Sequence, residues 1–470
     1  MMLKTYLRSL VSTAVLLPAA ICAGATFTIA DDGMAVVDGQ RTFILGLYEN
    51  PGEDGVLTDV VEAGINLIHA SPSQESLDRL HAAGAWAWLN TGYDIDFSED
   101  REARSERLLG SVDAFGHHPA LLVWEVPDEA LWNVWYLAQL WRRDGEPTAQ
   151  REAIGALEDK ALAAKLSEDI ETIGGLYQQG RFVEGEALAD GIWTAMGKEV
   201  PRPGYGFATA PERMLTMGEG MREGYKALRE RDPAHPVWMN HAPRNTIEDL
   251  SYFNQGADIV GCDIYPVPET RHIRHSDLAN RTLGSVGAYT KRMQASAPGK
   301  PVWMVLQGTG WGDFGVESGD DERAAMRRPR KDETRFMAYD AIVHGARGIL
   351  YWGAQFVEKD SDFWNELLEV TAELKDLQPV LTAPDGAAPE ITLGPTSGSV
   401  DRSIAVLTKS APDGDWYFLV NEWEGPLQVN VSVSDSPYRA LDADTKIIQK
   451  DGVVTLYMPA YSVVVLRPAK

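Results

Sequence analysis

The sequence predicts an α/β chain: a (β/α)8 TIM barrel with a helical insertion after its fourth strand and a C-terminal antiparallel β-sandwich. Three observations predict it. Eight short apolar runs alternate with helix-like segments between residues 41 and 380. The connection between the fourth and fifth runs is far longer than a single crossover helix requires. Beyond Pro384 the apolar pattern changes to period two, with turn residues between the runs. At 470 residues the chain exceeds one compact core, which agrees with a large domain followed by a smaller one.

Taken in order, residues 1–25 read as a signal peptide and not as structure. Lys4 and Arg8 precede an apolar run, Leu10 to Cys22, that is too short to span a bilayer. Ala23-Gly24-Ala25 supplies the small residues a signal peptidase needs, with cleavage expected after Ala25. Lipid attachment at Cys22 is the alternative, although Ile21 suits that signal poorly. Export from a bacterium, to the periplasm or the exterior, is the expectation. No later stretch reaches the roughly 18 uncharged apolar residues of a membrane span.

The barrel is expected over residues 26–382. Its strand runs are Phe43 to Tyr48, Ile65 to His69, Ala85 to Asn90, Ala120 to Val126, Pro236 to Asn240, Asp258 to Tyr265, Pro301 to Gln307 and Gly348 to Trp352. Continuous apolar runs of this length suit strands covered on both faces, as in a parallel sheet under helices. The last barrel helix carries Phe363, Leu367, Val370, Leu374 and Leu377 at 4-3-4-3 spacing, and Pro379 ends it. Between Ala130 and His235 lies the surplus, rich in Ala, Glu, Leu, Arg and Gln. One helix there is the barrel's own, and residues 135–210 form the insertion on the catalytic rim. Its Trp132, Trp135, Tyr136, Trp141 and Trp193 either stack on sugar rings or pack helices together. Residues 383–470 form the sandwich, with runs Ser403 to Leu407, Trp416 to Val420, Leu427 to Val433 and Ser462 to Leu466.

Composition narrows the function. The chain is 44% hydrophobic and 24% charged, an ordinary globular balance. Its 43 Lys and Arg against 69 Asp and Glu give a net charge of −26, a field that repels phosphate backbones and anionic membrane surfaces. Nucleic acid is therefore not an expected partner; solubility, in a salty habitat for instance, accounts for the acidity. Cys22 and Cys262 are the only cysteines, too few for a disulfide framework or a cysteine zinc site. His-Glu-x-x-His, Gly-x-Ser-x-Gly and a strand-borne Gly-x-Gly-x-x-Gly are all missing.

A parallel barrel places its active site at the carboxyl ends of its strands. Those ends carry Glu49, His69, Asn90, Asp128 with Glu129, Asn240 with His241, Asp263 with Tyr265, Gln307 and Trp352. Carboxylates and amides for hydroxyls, with aromatic faces for rings, are what carbohydrate binding calls for. In Trp124-Glu125-Val126-Pro127-Asp128-Glu129 two adjacent carboxylates repel one another, which raises a pKa and keeps one group protonated. Glu129, with the longer reach, is the expected proton donor; Asp128 orients substrate or tunes Glu129, or else caps the next helix. In Asp258 to Pro266, alternation puts Ile259, Gly261 and Asp263 on one face. Asp263 is a nucleophile, a base, a substrate ligand or a buried ion-pair partner. Trp311 sits in a glycine-rich rim loop, Gly308 to Gly312, beside the sugar-binding candidates.

With these residues in hand, the chain resembles the barrel glycoside hydrolases of clan GH-A over about residues 28 to 380. In that clan strand four ends Trp-Glu-x-x-Asn-Glu, matched here by Trp124-Glu125 and Asp128-Glu129 with Asp for Asn. Strand eight often ends in a tryptophan, matched by Trp352. The resemblance implies an acid/base role for Glu129 and a nucleophilic Glu at the end of strand seven, where this chain has Gln307. A Gln cannot form the glycosyl ester. Three outcomes stay open: Asp263, or Glu49 after it, serves as the second carboxylate; the substrate assists itself through an N-acetyl group held by Asp128 and Glu129; or the site binds sugar without cleaving it. The first is the expectation: an exported glycoside hydrolase of an oligo- or polysaccharide, needing no cofactor or metal. Glu129 is its acid, Asp263 its second carboxylate, and Glu49, His69, Asn90, Asp128, Asn240, His241, Tyr265, Gln307, Trp311 and Trp352 bind substrate. The rival is a non-catalytic carbohydrate-binding protein on a degenerate barrel.

Overall fold

Eight parallel strands close into a barrel in the computed structural model, which describes residues 25–269, 275–314 and 319–469. Residues 1–24, all but the last of the expected signal peptide, lie outside the described residues. The barrel strands are β4 (Ile44–Leu47), β5 (Leu67–His69), β6 (Trp86–Asn90), β7 (Leu121–Glu125), β8 (Val237–His241), β9 (Ile259–Ile264), β10 (Val302–Gln307) and β11 (Ala346–Trp352). Each falls on one of the eight apolar runs. Every residue of β7, β8, β9 and β10 is buried, because helices cover one face and the barrel interior fills the other.

Tryptophans fill that interior. Trp238 lies between Trp88 and Trp303, at centroid separations of 5.7 and 5.8 Å. Glycines make room for them. A Cβ on Gly261 would lie 2.2 Å from the Trp303 carbonyl oxygen and 3.0 Å from Trp238 Nε1. The space under Asp263 is therefore packed indole, and Asp263 stands on a rigid floor.

Three short strands precede the barrel: β1 (Phe27–Ile29), β2 (Ala35–Val37) and β3 (Gln40–Thr42), an antiparallel sheet. Phe27, Ala35 and Val37 join Ile44, Leu67, Trp303 and Leu350 in one apolar cluster, so this sheet stops the amino-terminal mouth. The sequence reading had no place for it, since three-residue strands carry too little periodicity to register.

Between β7 and β8 run helices Ala130–Gln139, Glu146–Gly155, Lys160–Gln178, Phe182–Ala195 and Ala210–Arg231, with a π-helical stretch at Leu140–Gly145. The middle helices share a core of their own, around Ile154, Leu166, Ile170, Ile173 and Ile192. Ala210–Arg231 packs back on helix Arg101–Phe115 and is the barrel's own fourth helix.

Beyond residue 383 two four-stranded antiparallel sheets face each other. One is ordered β12 (Ile391–Leu393), β15 (Leu427–Ser432), β18 (Val453–Met458) and β17 (Ile447–Lys450); the other is β13 (Ala405–Ala411), β14 (Gly414–Asn421), β19 (Ser462–Pro468) and β16 (Tyr438–Ala440). Period two divides β14 between two cores. Tyr417 and Leu419 enter the sandwich, while Trp416, Phe418 and Val420 join the barrel's apolar core beside helix Lys331–Val343.

Candidate active site

At the carboxyl ends of the strands lies a cavity of about 590 Å³, lined by Asp128, Glu129, Asn240, Asp263, Tyr265, Trp311 and Trp352 among others. Strand β7 ends at Glu125, and the chain then turns sharply through Pro127 so that Glu129 takes a left-handed backbone conformation, φ 53°. A non-glycine residue there stores about 1–3 kcal/mol, strain of the kind that collects at working sites. Asn240, from the next strand, holds the turn: its Nδ2 donates to Asp128 Oδ1 (2.9 Å), and its carbonyl accepts from the Glu129 N–H (3.3 Å). Asp128 thus looks into the cavity, and no side chain caps helix Ala130–Gln139.

The Glu129 and Asp263 carboxyls lie close enough for a hydrogen bond when one of them carries a proton. Burial, and then the Asp128 carboxylate, push Glu129 up to about 7. Asp263 is pushed well above the carboxylate range by burial first and by Glu129 and Asp128 next. Its Oδ1 accepts no bond from a nitrogen or hydroxyl donor, and its Oδ2 lies 3.7 Å from His275 Nε2. Among the described residues, Asp263 is therefore not the partner of an Arg or Lys within ion-pair reach. Behind this pair is Glu125, fully buried, which accepts from Tyr48 Oη (3.2 Å), Trp88 Nε1 (2.9 Å) and Asn90 Nδ2 (2.8 Å). Burial and Asp128 raise Glu125 to about 8.

Aromatic rings form one wall. Tyr265 stacks on Trp352 (5.4 Å, 11°) and on His275 (4.8 Å, 10°), with Trp311 edge-on at 6.1 Å. Opposite them, Trp132 and Tyr136 stack on each other at 6.0 Å on successive turns of helix Ala130–Gln139 and also line the cavity.

Five of the residues singled out in the sequence stand elsewhere. Glu49 pairs with Lys359 at 2.7 Å. His69 sits half-buried beside Trp88, its pKa lowered by burial. Asn90 supports Glu125 from behind. His241 turns outward to Asn254 Oδ1 (2.8 Å), and burial lowers it to about 4, leaving it neutral. Gln307 is consumed by the backbone: its Oε1 accepts from the Val267 N–H (3.0 Å), and its Nε2 donates to the carbonyls of Val267 (2.7 Å) and Thr309 (3.0 Å).

The sequence reading passed over Tyr48, Arg244, His275 and the anchoring of Glu125. Tyr48 had a signal, being in phase with Ile44 and Gly46 on the inward face. Arg244 and His275 come from the connections after β8 and β9, where no strand period marks a residue. Among the described residues, the one trio of side chains spaced to hold a metal ion lies outside this cavity.

No family model matches the chain, and no curated protein matches it by sequence. Solved structures do match by shape. A GH42 beta-galactosidase from G. stearothermophilus is 11% identical, with 95% of this chain and 100% of that chain covered at a TM-score of 0.51. A glycoside hydrolase family 5 protein from Bacteroides vulgatus is 12% identical, covering 94% of this chain and 92% of that one at 0.50. Against a beta-galactosidase from the psychrophilic Marinomonas ef1, 16% identical, 71% of this chain aligns at 0.43 and spans 60% of that chain's length. At such identities the likeness is one of fold: the chain has a TIM barrel like that of the clan GH-A glycoside hydrolases.

Proposed function

We propose that the protein is an exported glycoside hydrolase acting on an oligo- or polysaccharide, with Glu129 as general acid and Asp263 as the second carboxylate. The observation that carries this reading is the contact of these two carboxyls, from β7 and β9, inside one aromatic-walled cavity. Carboxyls this near one another stand closer to the spacing of retention, about 5–5.5 Å, than to the roughly 6.5–9.5 Å of inversion, and the sugar parts them to react. The form that reacts holds a single proton on the pair, placed on Glu129 although burial and its neighbours raise Asp263 too. With it on Glu129, Asp263 attacks the anomeric carbon, the glycosidic C–O bond breaks, and Glu129 protonates the leaving oxygen. Glu129 then takes a proton from water, which displaces the sugar from Asp263.

Asp128, Asn240, Tyr265, Trp311 and Trp352 are assigned to the sugar. Asn240 Oδ1 is buried and without a partner, a polar atom that a sugar hydroxyl satisfies. Glu49, Asn90, His241 and Gln307, already engaged by protein groups, are assigned to holding the wall.

Gln307 favours a second reading, a carbohydrate-binding protein without turnover. Its amide, however, makes both a donor and an acceptor contact to Val267, which a carboxylate cannot do, so a scaffold role accounts for a Gln here. A panel of plant, algal and bacterial glycans separates the two. Release of reducing ends that Glu129→Gln abolishes supports hydrolysis; binding without release supports the second reading.

A further inference from the structure

We propose that Asp340, His344 and Glu422 form a zinc site that clips the C-terminal sandwich to the barrel. Asp340 and His344 stand four residues apart at the end of helix Lys331–Val343, so both side chains leave the same helical face. Glu422 immediately follows β14 of the sandwich. His344 Nε2 is 3.2 Å from Glu422 Oε1 and 3.6 Å from Asp340 Oδ1, and all three ligand atoms lie within 4.8 Å of one another. A tetrahedral ion with bonds of about 2.0–2.1 Å holds its ligands roughly 3.3–3.4 Å apart. Both measured edges straddle that value.

Two features prepare the site. Asp340 is 0% exposed, and its Oδ1 accepts from no nitrogen or hydroxyl donor; what it faces are the His344 ring and the Glu422 carboxyl, a buried acid pair that a proton or a cation must reconcile. Its other oxygen accepts the Gly287 N–H at 2.7 Å, which fixes the carboxylate with Oδ1 toward His344. Gly287 is also the only residue type that leaves the seat open: a Cβ there would lie 2.7 Å from His344 Nε2 and 3.0 Å from Asp340 Oδ1. One imidazole and two carboxylates make a borderline donor set that suits Zn²⁺ better than the all-oxygen preference of Ca²⁺ or Mg²⁺. Glu422 is partly exposed, which leaves an ion path and a fourth position for water.

The test uses the full chain, stripped with a chelator and re-equilibrated with Zn²⁺. One equivalent should remain after gel filtration, and saturation should raise the thermal midpoint by a few degrees, with Ca²⁺ and Mg²⁺ having no such effect. Glu422→Gln, in an exposed loop, and His344→Gln should each weaken Zn²⁺ binding at least tenfold, while Glu129→Gln should leave it unchanged. Circular dichroism checks that each variant is folded. The proposal is overturned if the stripped chain takes up no stoichiometric Zn²⁺, or if the Glu422 and His344 variants bind it as tightly as the parent.

Discussion

A carboxyl kept neutral by burial and a neighbouring charge releases its proton near the pH at which the protein works. Glu129 is raised from 4.5 to about 7, so hydrolysis should decline as pH rises through about 7, where the acid is lost. The pH dependence of kcat/KM measures this. The same shift acts on stability. Between about 4.5 and 7 the folded chain holds a proton that the unfolded chain has released, so stability falls as pH climbs through that window. Glu129→Gln removes the effect and should stabilise the protein at pH 8 by an amount of order 3 kcal/mol, read from urea unfolding. Gln307→Glu should do the opposite. It takes away the donor to two buried carbonyls and should cost about 1–3 kcal/mol without adding activity. A gain in turnover would show that position 307 still reaches the sugar.

At the scale of elements, the eight strands were legible because strands buried on both faces must be continuously apolar, and each observed strand lies on such a run. Strand β9 was legible in finer detail: alternation put Ile259, Gly261 and Asp263 on one face, and that face is the interior. The fate of Gln307 was not legible, because its partners are backbone groups of two loops, the one after β9 and the one after its own strand. Side-chain direction misled at His241, one residue past the inward Asn240, since period two sends neighbours to opposite faces. Helix Ala130–Gln139 brings the insertion into the site through Trp132 and Tyr136. Trp132→Ala should raise KM about tenfold with little change in kcat, the loss of one stacking face worth roughly 1–1.5 kcal/mol.

Across the whole molecule, barrel and sandwich share one apolar core. Phe418, Val420 and Val465 of the sandwich pack in the same cluster as Phe336 and Tyr339 of helix Lys331–Val343. A partly buried ion group reinforces the seam: Asp385 lies 2.6 Å from Arg347 and 2.7 Å from Lys409. Calorimetry should therefore record one cooperative transition and not two, and a chain ended at residue 382 should lose solubility. The barrel closes its carboxylates into one chamber, with its amino-terminal mouth stopped by β1 to β3. Whether those carboxylates perform the chemistry is measured most directly by comparing the parent chain, Glu129→Gln and Asp263→Asn on a glycan the parent cleaves. The account predicts that each substitution slows release of reducing ends by about a thousandfold while glycan binding persists. Undiminished release by either folded variant would contradict it.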